Sequence, residues 1–294
     1  MRDPPGERDV DDLLAFGVVN LDKPPGPSAH EVSAWVRDLA DVDRAAHAGT
    51  LDPKVTGCLP VLTGDATRLA QAFLEGAKTY VAVLELHAPA PADLRAVAAE
   101  FEGELHQKPP RKSAVKRRLR RRTVHDLDVL EVTDRQALLG VRCESGTYIR
   151  KLCHDLGLAL GTGAHMGDLR RVGTDPFDDR DLSTLHDLAD GLAWAEDGDE
   201  ELLRDVVEPA ETALSHLPSV VVADSAAAEI AEGAPVYAPG VLAAAEVAEA
   251  GVAPGDDDLL VCETAGGTAV CLGRLVGDPN ADAGEVVSLE RVLV

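Results

Sequence analysis

The sequence predicts an α+β fold in two parts. Three observations lead there. Apolar residues recur at helical spacing behind capping residues, as in the segment that Ser28 and Glu31 open. Tyr80, Ala82, Leu84 and Leu86 occupy every second position, which is one face of a strand. Beyond about residue 195 the chain turns to short apolar runs divided by glycines, the pattern of a small β-rich unit. The expected organisation is a polar, loosely attached arm over 1–12, a larger unit over 13–205 and a β-rich unit over 217–294. With 45% apolar residues among 294, the chain can bury a core and is globular rather than disordered.

The elements follow in order. Phe16 to Leu21 is a short apolar run that reads as a strand, and Asp22-Lys23-Pro24-Pro25-Gly26-Pro27 is a rigid loop. The helix after Ser28 is expected to bury Val32, Trp35, Val36 and Leu39, spaced by three and four. Residues 47–57 form a loop with Gly49, Pro53 and Gly57, and Cys58 to Leu62 is a strand. Asp65 to Leu74 reads as a helix, Thr79 to Leu86 as a strand, and Ala92 to Glu102 as a helix. Strands are expected at 123–132 and 137–144. Thr147 would cap a helix whose core stripe is Ile149, Leu152, Cys153, Leu156 and Leu160. The acidic run Glu196 to Glu201 is a solvated connection. After Leu217, strands are expected at 219–222, 234–237, 258–263, 268–276 and 286–294, with one short helix at 225–231.

Several function classes are disfavoured. No run of about 18 uncharged apolar residues is available for a membrane span. The polar N-terminal segment lacks the apolar centre of a signal peptide. Cys58, Cys143, Cys153, Cys262 and Cys271 form no CxxC pair, which speaks against a disulfide framework or a zinc site and suits a reducing cytoplasm.

The formal charge is −24, from 52 acidic and 28 basic residues, a poor composition for contacting phosphates. Two readings compete: a very soluble protein that never meets nucleic acid, or a protein of a saline cytoplasm, where salt screens charges within about 3 Å at 1 M. The distribution is more informative. Between Lys108 and Arg122 nine of fifteen residues are basic, including Arg117 and Arg118, and without those nine charges the remainder stands at −33. So dense a patch on so acidic a chain has the form of a phosphate footprint, with a solvated helix face or flexible tail as the alternative.

One carboxylate stands out. Pro53 pushes Asp52 out of the helical region, and Gly49 lets the backbone turn tightly ahead of it. A carboxylate on such a loop can be aimed at a single atom, although by itself it would read as an Asx turn or helix cap. Its surroundings change the reading. His47-Ala48-Gly49-Thr50-Leu51-Asp52-Pro53-Lys54-Val55-Thr56-Gly57 resembles the catalytic motif of the RNA pseudouridine synthases that modify the tRNA T loop and of their H/ACA-guided relatives. Asn20-Leu21-Asp22-Lys23-Pro24-Pro25-Gly26 resembles that family's first motif, and Lys78-Thr79-Tyr80 its tyrosine strand. Arg142 to Arg150, with Ser145-Gly146-Thr147-Tyr148-Ile149, resembles its arginine motif, and Gly163 to Arg171 the segment that closes its pocket. These motifs occur in the family's order over about 20–171, and order makes them far more specific than any one alone. Pro109 to Arg120 resembles the archaeal and eukaryotic, dyskerin-like branch, and 217–294 resembles a PUA domain, a small RNA-binding β-barrel. The stretch 216–294 nevertheless holds 13 acidic and two basic residues.

The resemblance implies a catalytic domain with a mixed, mainly antiparallel sheet, followed by that small barrel. It implies a reaction that detaches uracil from its ribose, rotates it and rejoins it through C5, with no redox step, metal or cofactor. Asp52 would act as nucleophile or as stabiliser of the intermediate. Arg150 would pair with it and keep it ionised and aimed, the alternative being an ordinary surface ion pair. Tyr80 would stack on the flipped base and take part in proton transfer, the alternative being a core tyrosine. His47 would hold the splayed RNA, and Tyr148 and Leu169 would line the uracil pocket, though both could equally belong to the core. Lys23 would contact a phosphate or brace the Asp52 loop. The implied partners are tRNA or rRNA, an H/ACA guide RNA and small H/ACA partner proteins, in the cytoplasm and away from membranes.

Overall fold

The computed structural model describes residues 1–71, 76–109, 116 and 118–294. Among these, ten strands form one sheet: β1 (Gly17–Lys23), β2 (Ala45–His47), β3 (Thr56–Thr63), β4 (Lys78–Leu86), β5 (Gly103–Gln107), β6 (Arg120–Val132), β7 (Gln136–Cys143), β8 (Ala164–Thr174), β9 (Phe177–Asp178) and β10 (Glu208–Pro209). Their order is β10-β1-β3-β8-β4-β7-β6-β5, with β2 on β3 and β9 on β8. Only β3 and β8 run parallel, meeting at Thr56 with Arg170 and Gly57 with Arg171. The sheet is therefore mixed and mainly antiparallel.

A second sheet holds β11 (Ser219–Val222), β12 (Val236–Tyr237), β13 (Val241–Ala243), β14 (Leu259–Thr264), β15 (Ala269–Leu275) and β16 (Glu285–Val292), in the barrel-like order β12-β16-β15-β14-β11-β13. The two sheets share one apolar cluster, in which Phe16, Cys58 and Leu62 meet Leu259, Leu272 and Leu293. No described helix is long and apolar enough to cross a membrane.

The helix Ala29–Leu39 opens on the expected capping box: the Ser28 hydroxyl accepts from the Glu31 N–H, and the Glu31 carboxylate accepts from the Ser28 N–H. Its buried face is not the expected one. Ala29, Val32, Ser33 and Val36 turn inward, while Trp35 is 44% and Leu39 42% exposed. Ser33 tolerates burial because its hydroxyl donates to the Ala29 carbonyl one turn back. The helix Ile149–Ala159 buries Ile149, Leu152, Cys153 and Leu156 as expected, but Thr147 does not cap it. Tyr148 is the capping position, and the Thr147 hydroxyl donates instead to the Glu144 carbonyl of the preceding turn.

Other differences are of extent. The segment expected as a helix from Asp65 is a 3-10 helix over Gly64–Gln71, and the end of that expectation, 72–75, lies outside the described residues. The helix expected over 92–102 spans Leu94–Ala99. Residues 1–12, expected as a loosely attached arm, are mostly exposed but are held at two arginines. The Arg8 guanidinium is buried and donates to both carboxylate oxygens of Glu211, and Arg2 lies over the Phe16 ring and donates to the Leu293 carbonyl. The arm is tied down because its two arginines find partners 203 and 291 residues further on, which no local pattern reveals.

Candidate active site

The Asp52 loop is held rigid from beneath. Leu51 and Val55 are buried on either side of it, and the Val55 N–H closes a turn on the Asp52 carbonyl at 3.0 Å. Lys23, fully buried at the end of β1, donates to the carbonyls of Pro24, Pro53 and Val55 at 2.9, 2.9 and 2.8 Å. The Gly26 N–H also donates to the Pro53 carbonyl. The proline loop of the first motif and the Asp52 loop are thus stitched together through backbone carbonyls. Burial pushes the Lys23 ammonium below the ordinary lysine value, and the nearby Asp52 carboxylate pulls it partly back. Lys23 is a brace in this structure, with every one of its three donors occupied.

With its loop fixed, the Asp52 side chain stands out into solvent, 47% exposed, and its Oδ2 lies 2.8 Å from Nη2 of Arg150. Arg150 is the second residue of the Ile149–Ala159 helix, whose buried Ile149 and Leu152 anchor that first turn. A half-exposed pair of this kind contributes about 0–1 kcal/mol to stability. Its consequence is directional: the carboxylate is aimed, and it is held beside a cation.

Tyr80 lies in mid-sheet on β4, opposite Val141 of β7 and Arg171 of β8. Its half-buried ring and Leu169 both pack against the same two apolar clusters. Burial pushes the phenol up, and the neighbouring Arg171 guanidinium pulls in the opposite direction. Arg171 is itself 1% exposed. His47, at the end of β2, is half-buried, with its ring edge-on to His30 at 6.2 Å. Burial, then His30 and Arg171, push the imidazole below the usual histidine range, which favours its neutral form. Tyr148 exchanges two hydrogen bonds with the Gln107 side chain: its N–H donates to Oε1 at 2.9 Å, and Nε2 donates to its carbonyl at 3.4 Å. Arg118 is exposed, and its backbone N–H donates to the Lys116 carbonyl. Arg117 lies outside the described residues. The structure therefore brings Asp52, Arg150 and Lys23 together, and Tyr80 with Leu169, while no recorded contact joins Arg118 to them.

A rigid loop presenting an arginine-paired carboxylate, next to a tyrosine strand, invites comparison with known proteins. A probable tRNA pseudouridine synthase B of Halobacterium salinarum is 67% identical over 100% of this chain and 99% of its own length. The chain belongs to the TruB family of pseudouridine synthases. Profiles of that family agree: its N-terminal domain matches residues 37–92 and 87–149, the tRNA pseudouridylate synthase B C-terminal domain matches 150–215, and a DKCLD domain matches 3–33. A further probable tRNA pseudouridine synthase B, from Haloarcula marismortui, is 64% identical over 100% of this chain and 94% of its own. Both sources are halophilic archaea. Among solved structures, a chain of a Cbf5-Nop10-Gar1 crystal complex superposes with a TM-score of 0.90 at 45% identity, covering 99% of this chain and 89% of that one. A chain of an H/ACA RNP bound to a substrate RNA containing 2′-deoxyuridine gives 0.88 at 42% identity, covering 99% and 89%. This TruB-family chain is accordingly an enzyme, an isomerase that makes pseudouridine in RNA.

The family's site here contains cations that sequence reasoning did not single out. Lys78, 3% exposed, donates to the Gly76 carbonyl and is pushed down to about 8, first by burial and then by Arg171. Arg170 grips both carboxylate oxygens of Asp22, and Arg142 those of Asp175. Their signal in the sequence was membership of the motifs: Lys78 opens the tyrosine-strand motif, Arg142 the arginine motif, and Arg170 lies in the segment Gly163 to Arg171. The thiols of Cys58 and Cys153 are each pushed up to about 12 by burial, and that of Cys143 to about 11, so none is an available nucleophile.

Proposed function

We propose that this enzyme is the catalytic subunit of a guided particle, isomerising uridines of rRNA and the uridine of the tRNA T loop with Asp52 as its nucleophile. The observation that carries this reading is the 2.8 Å pair of Asp52 with Arg150 on a loop pinned by Lys23. In the reaction the N1–C1′ bond of the uridine breaks and a C5–C1′ bond forms. The C5 proton leaves to a base, and N1 ends protonated. Asp52 adds to the sugar or base, or stabilises the species between the two bonds, and Arg150 holds it in place. Tyr80 stacks on the flipped base and moves the C5 proton, with Leu169 and Tyr148 at the pocket wall. His47, neutral and half-buried, holds the splayed RNA. Arg117 and Arg118, within the basic stretch, contact phosphates.

The archaeal likeness to chains of H/ACA complexes supports an H/ACA guide RNA and small partner proteins of the kind named with them. The unit over 217–294 serves as a PUA-like RNA-binding domain behind a catalytic domain over 13–205, and the enzyme works in the cytoplasm. A stand-alone action on tRNA is the second reading, favoured by the name that the halophilic relatives carry. The deciding experiment incubates the pure protein with unmodified tRNA, and with rRNA fragments, each with and without guide RNA and partner proteins. Product on rRNA only in the assembled mixture supports the guided reading. Product on tRNA alone supports the second, and none under any condition leaves a non-catalytic RNA scaffold.

A further inference from the structure

The Asp52 loop and the Tyr80 strand are separate elements, yet one buried side chain touches both. Arg171 Nε donates to the Cys58 carbonyl of β3 at 2.7 Å, and Nη2 donates to the Gly49 carbonyl of the Asp52 loop at 3.2 Å. Arg171 is also the cross-strand partner of Tyr80 on β4, so the two side chains stand side by side on one face of the sheet. We propose that Arg171 is a positioning residue of the isomerisation, tying the Asp52 loop to the Tyr80 phenol so that the two groups keep one fixed relation across the reacting uridine. The proposal rests on the reading that Asp52 and Tyr80 act on that uridine.

Three observations support it. The first is cost: a guanidinium at 1% exposure has been taken almost wholly out of water, and among the described residues no carboxylate pairs with it. Its recorded acceptors are two backbone carbonyls. An apolar side chain would fill this space without that desolvation, so packing alone does not call for a cation here. The second is geometry: a flat group with donors in fixed directions sets the spacing between the Gly49 carbonyl and β3, which a flexible ammonium would leave loose.

The third is the glycine spacing of the Asp52 motif. A Cβ on Gly57 would lie 2.2 Å from the Arg171 carbonyl, so glycine is what lets β8 approach β3. A Cβ on Gly49 would lie 3.2 Å from Arg171 Nη1, in a backbone already at φ +104°. The two glycines that flank Asp52 therefore both make room for Arg171, one for its backbone and one for its guanidinium.

The test is a double-mutant cycle with Arg171→Met, Arg171→Lys and Tyr80→Phe. It is read as the single-turnover rate at saturating RNA, the RNA affinity and the thermal midpoint, in whichever arrangement, chain alone or assembled particle, gives product. Arg171→Met is expected to slow the step by about 100-fold, the scale of a small misplacement of reacting groups, with RNA affinity unchanged and the fold retained. Arg171→Lys, which keeps the charge without the fork, should fall between it and wild type. In the Tyr80→Phe background, either change at 171 should add little further loss, because the group it positions has gone. Rate losses that simply multiply overturn the proposal and leave Tyr80 in its role. So does a defect confined to RNA affinity. Failure of both 171 variants to fold also overturns it, making Arg171 a buttress of the fold alone. A Tyr80→Phe enzyme with the wild-type rate overturns both this proposal and the role given to Tyr80.

Discussion

The ten-stranded sheet around the Asp52 loop and the six-stranded unit that follows it treat charge in opposite ways. The first takes cations inside: Lys23, Lys78 and Arg171 are all buried there, in a chain with only 28 basic residues against 52 acidic ones. The second buries apolar side chains with a few hydroxyls, such as Ser219, Thr264 and Thr268, and residues 216–294 carry 13 acids against two arginines. Charge repulsion in a protein this acidic favours keeping its scarce cations on the surface. Two of its seven lysines instead hold backbone carbonyls beneath a loop. The difference separates two sources of order: charge-assisted hydrogen bonds that fix the geometry of the site, and apolar packing that holds the C-terminal unit together under an acidic exterior.

The largest effect that could break this comparison is on stability. Lys23→Met takes a donor from three carbonyls, leaving Pro53 with the Gly26 N–H alone, and should cost about 3–5 kcal/mol, whereas the same change at exposed Arg291 should cost about 0.5 kcal/mol or less. Chemical denaturation of the two variants measures this directly, and equal costs would erase the distinction. Salt sharpens it. Raising salt toward 1 M should stabilise the whole chain by screening its acidic exterior, while the difference between wild type and Lys23→Met should hardly change, because the lost contacts are buried.

Next in size is a pH effect at Lys78. Its ammonium titrates near about 8 in the fold and at the ordinary 10.5 when unfolded. Between those values the unfolded chain binds more protons, so this residue's contribution to stability is present above the unfolded value and is lost as pH falls through the folded one. Between about pH 7 and about pH 9.5, wild type should gain about 2 kcal/mol relative to Lys78→Met. The buried thiols act in the opposite sense, but they are present in both proteins, so the comparison isolates Lys78. A pH-independent difference would show that its charge is not desolvated. The smallest effect is expected at an exposed pair: Asp38→Asn, which removes the partner of Arg37, should shift stability by about 0.5 kcal/mol or less.

Much of the site was legible because it is local. Asp52 with Pro53 and Gly49, and Tyr80 on its alternating strand, lie in short ordered motifs on the kind of element that the sequence indicates, whereas Lys23, expected in the proline loop, is the last residue of β1. What could not be read is non-local or masked by residue size. Trp35 and Leu39 fit the helical period as well as Ala29 and Ser33 do, and bulk favoured the wrong face. The inward face became readable only once the Ser33 hydroxyl was seen bonded to its own helix. Strand β8 sits in mid-sheet, but Ala164 to Arg171 does not alternate, because Arg170 and Arg171 are drawn toward Asp22 and the Asp52 loop. Arg8 was hidden for the same reason, its partner Glu211 being 203 residues away.

The central claim is that Asp52, held beside Arg150, carries the chemistry while contributing little to the fold. The measurement that reaches it most directly is pseudouridine formation by Asp52→Asn on an RNA that wild type modifies, with RNA binding and denaturation followed on the same preparation. The expected result is no product, unchanged RNA binding, and stability within about 1 kcal/mol of wild type, since the Asp52–Arg150 pair is half-exposed. Retained turnover would contradict the assignment, and loss of product only through unfolding would return Asp52 to the role of a turn residue.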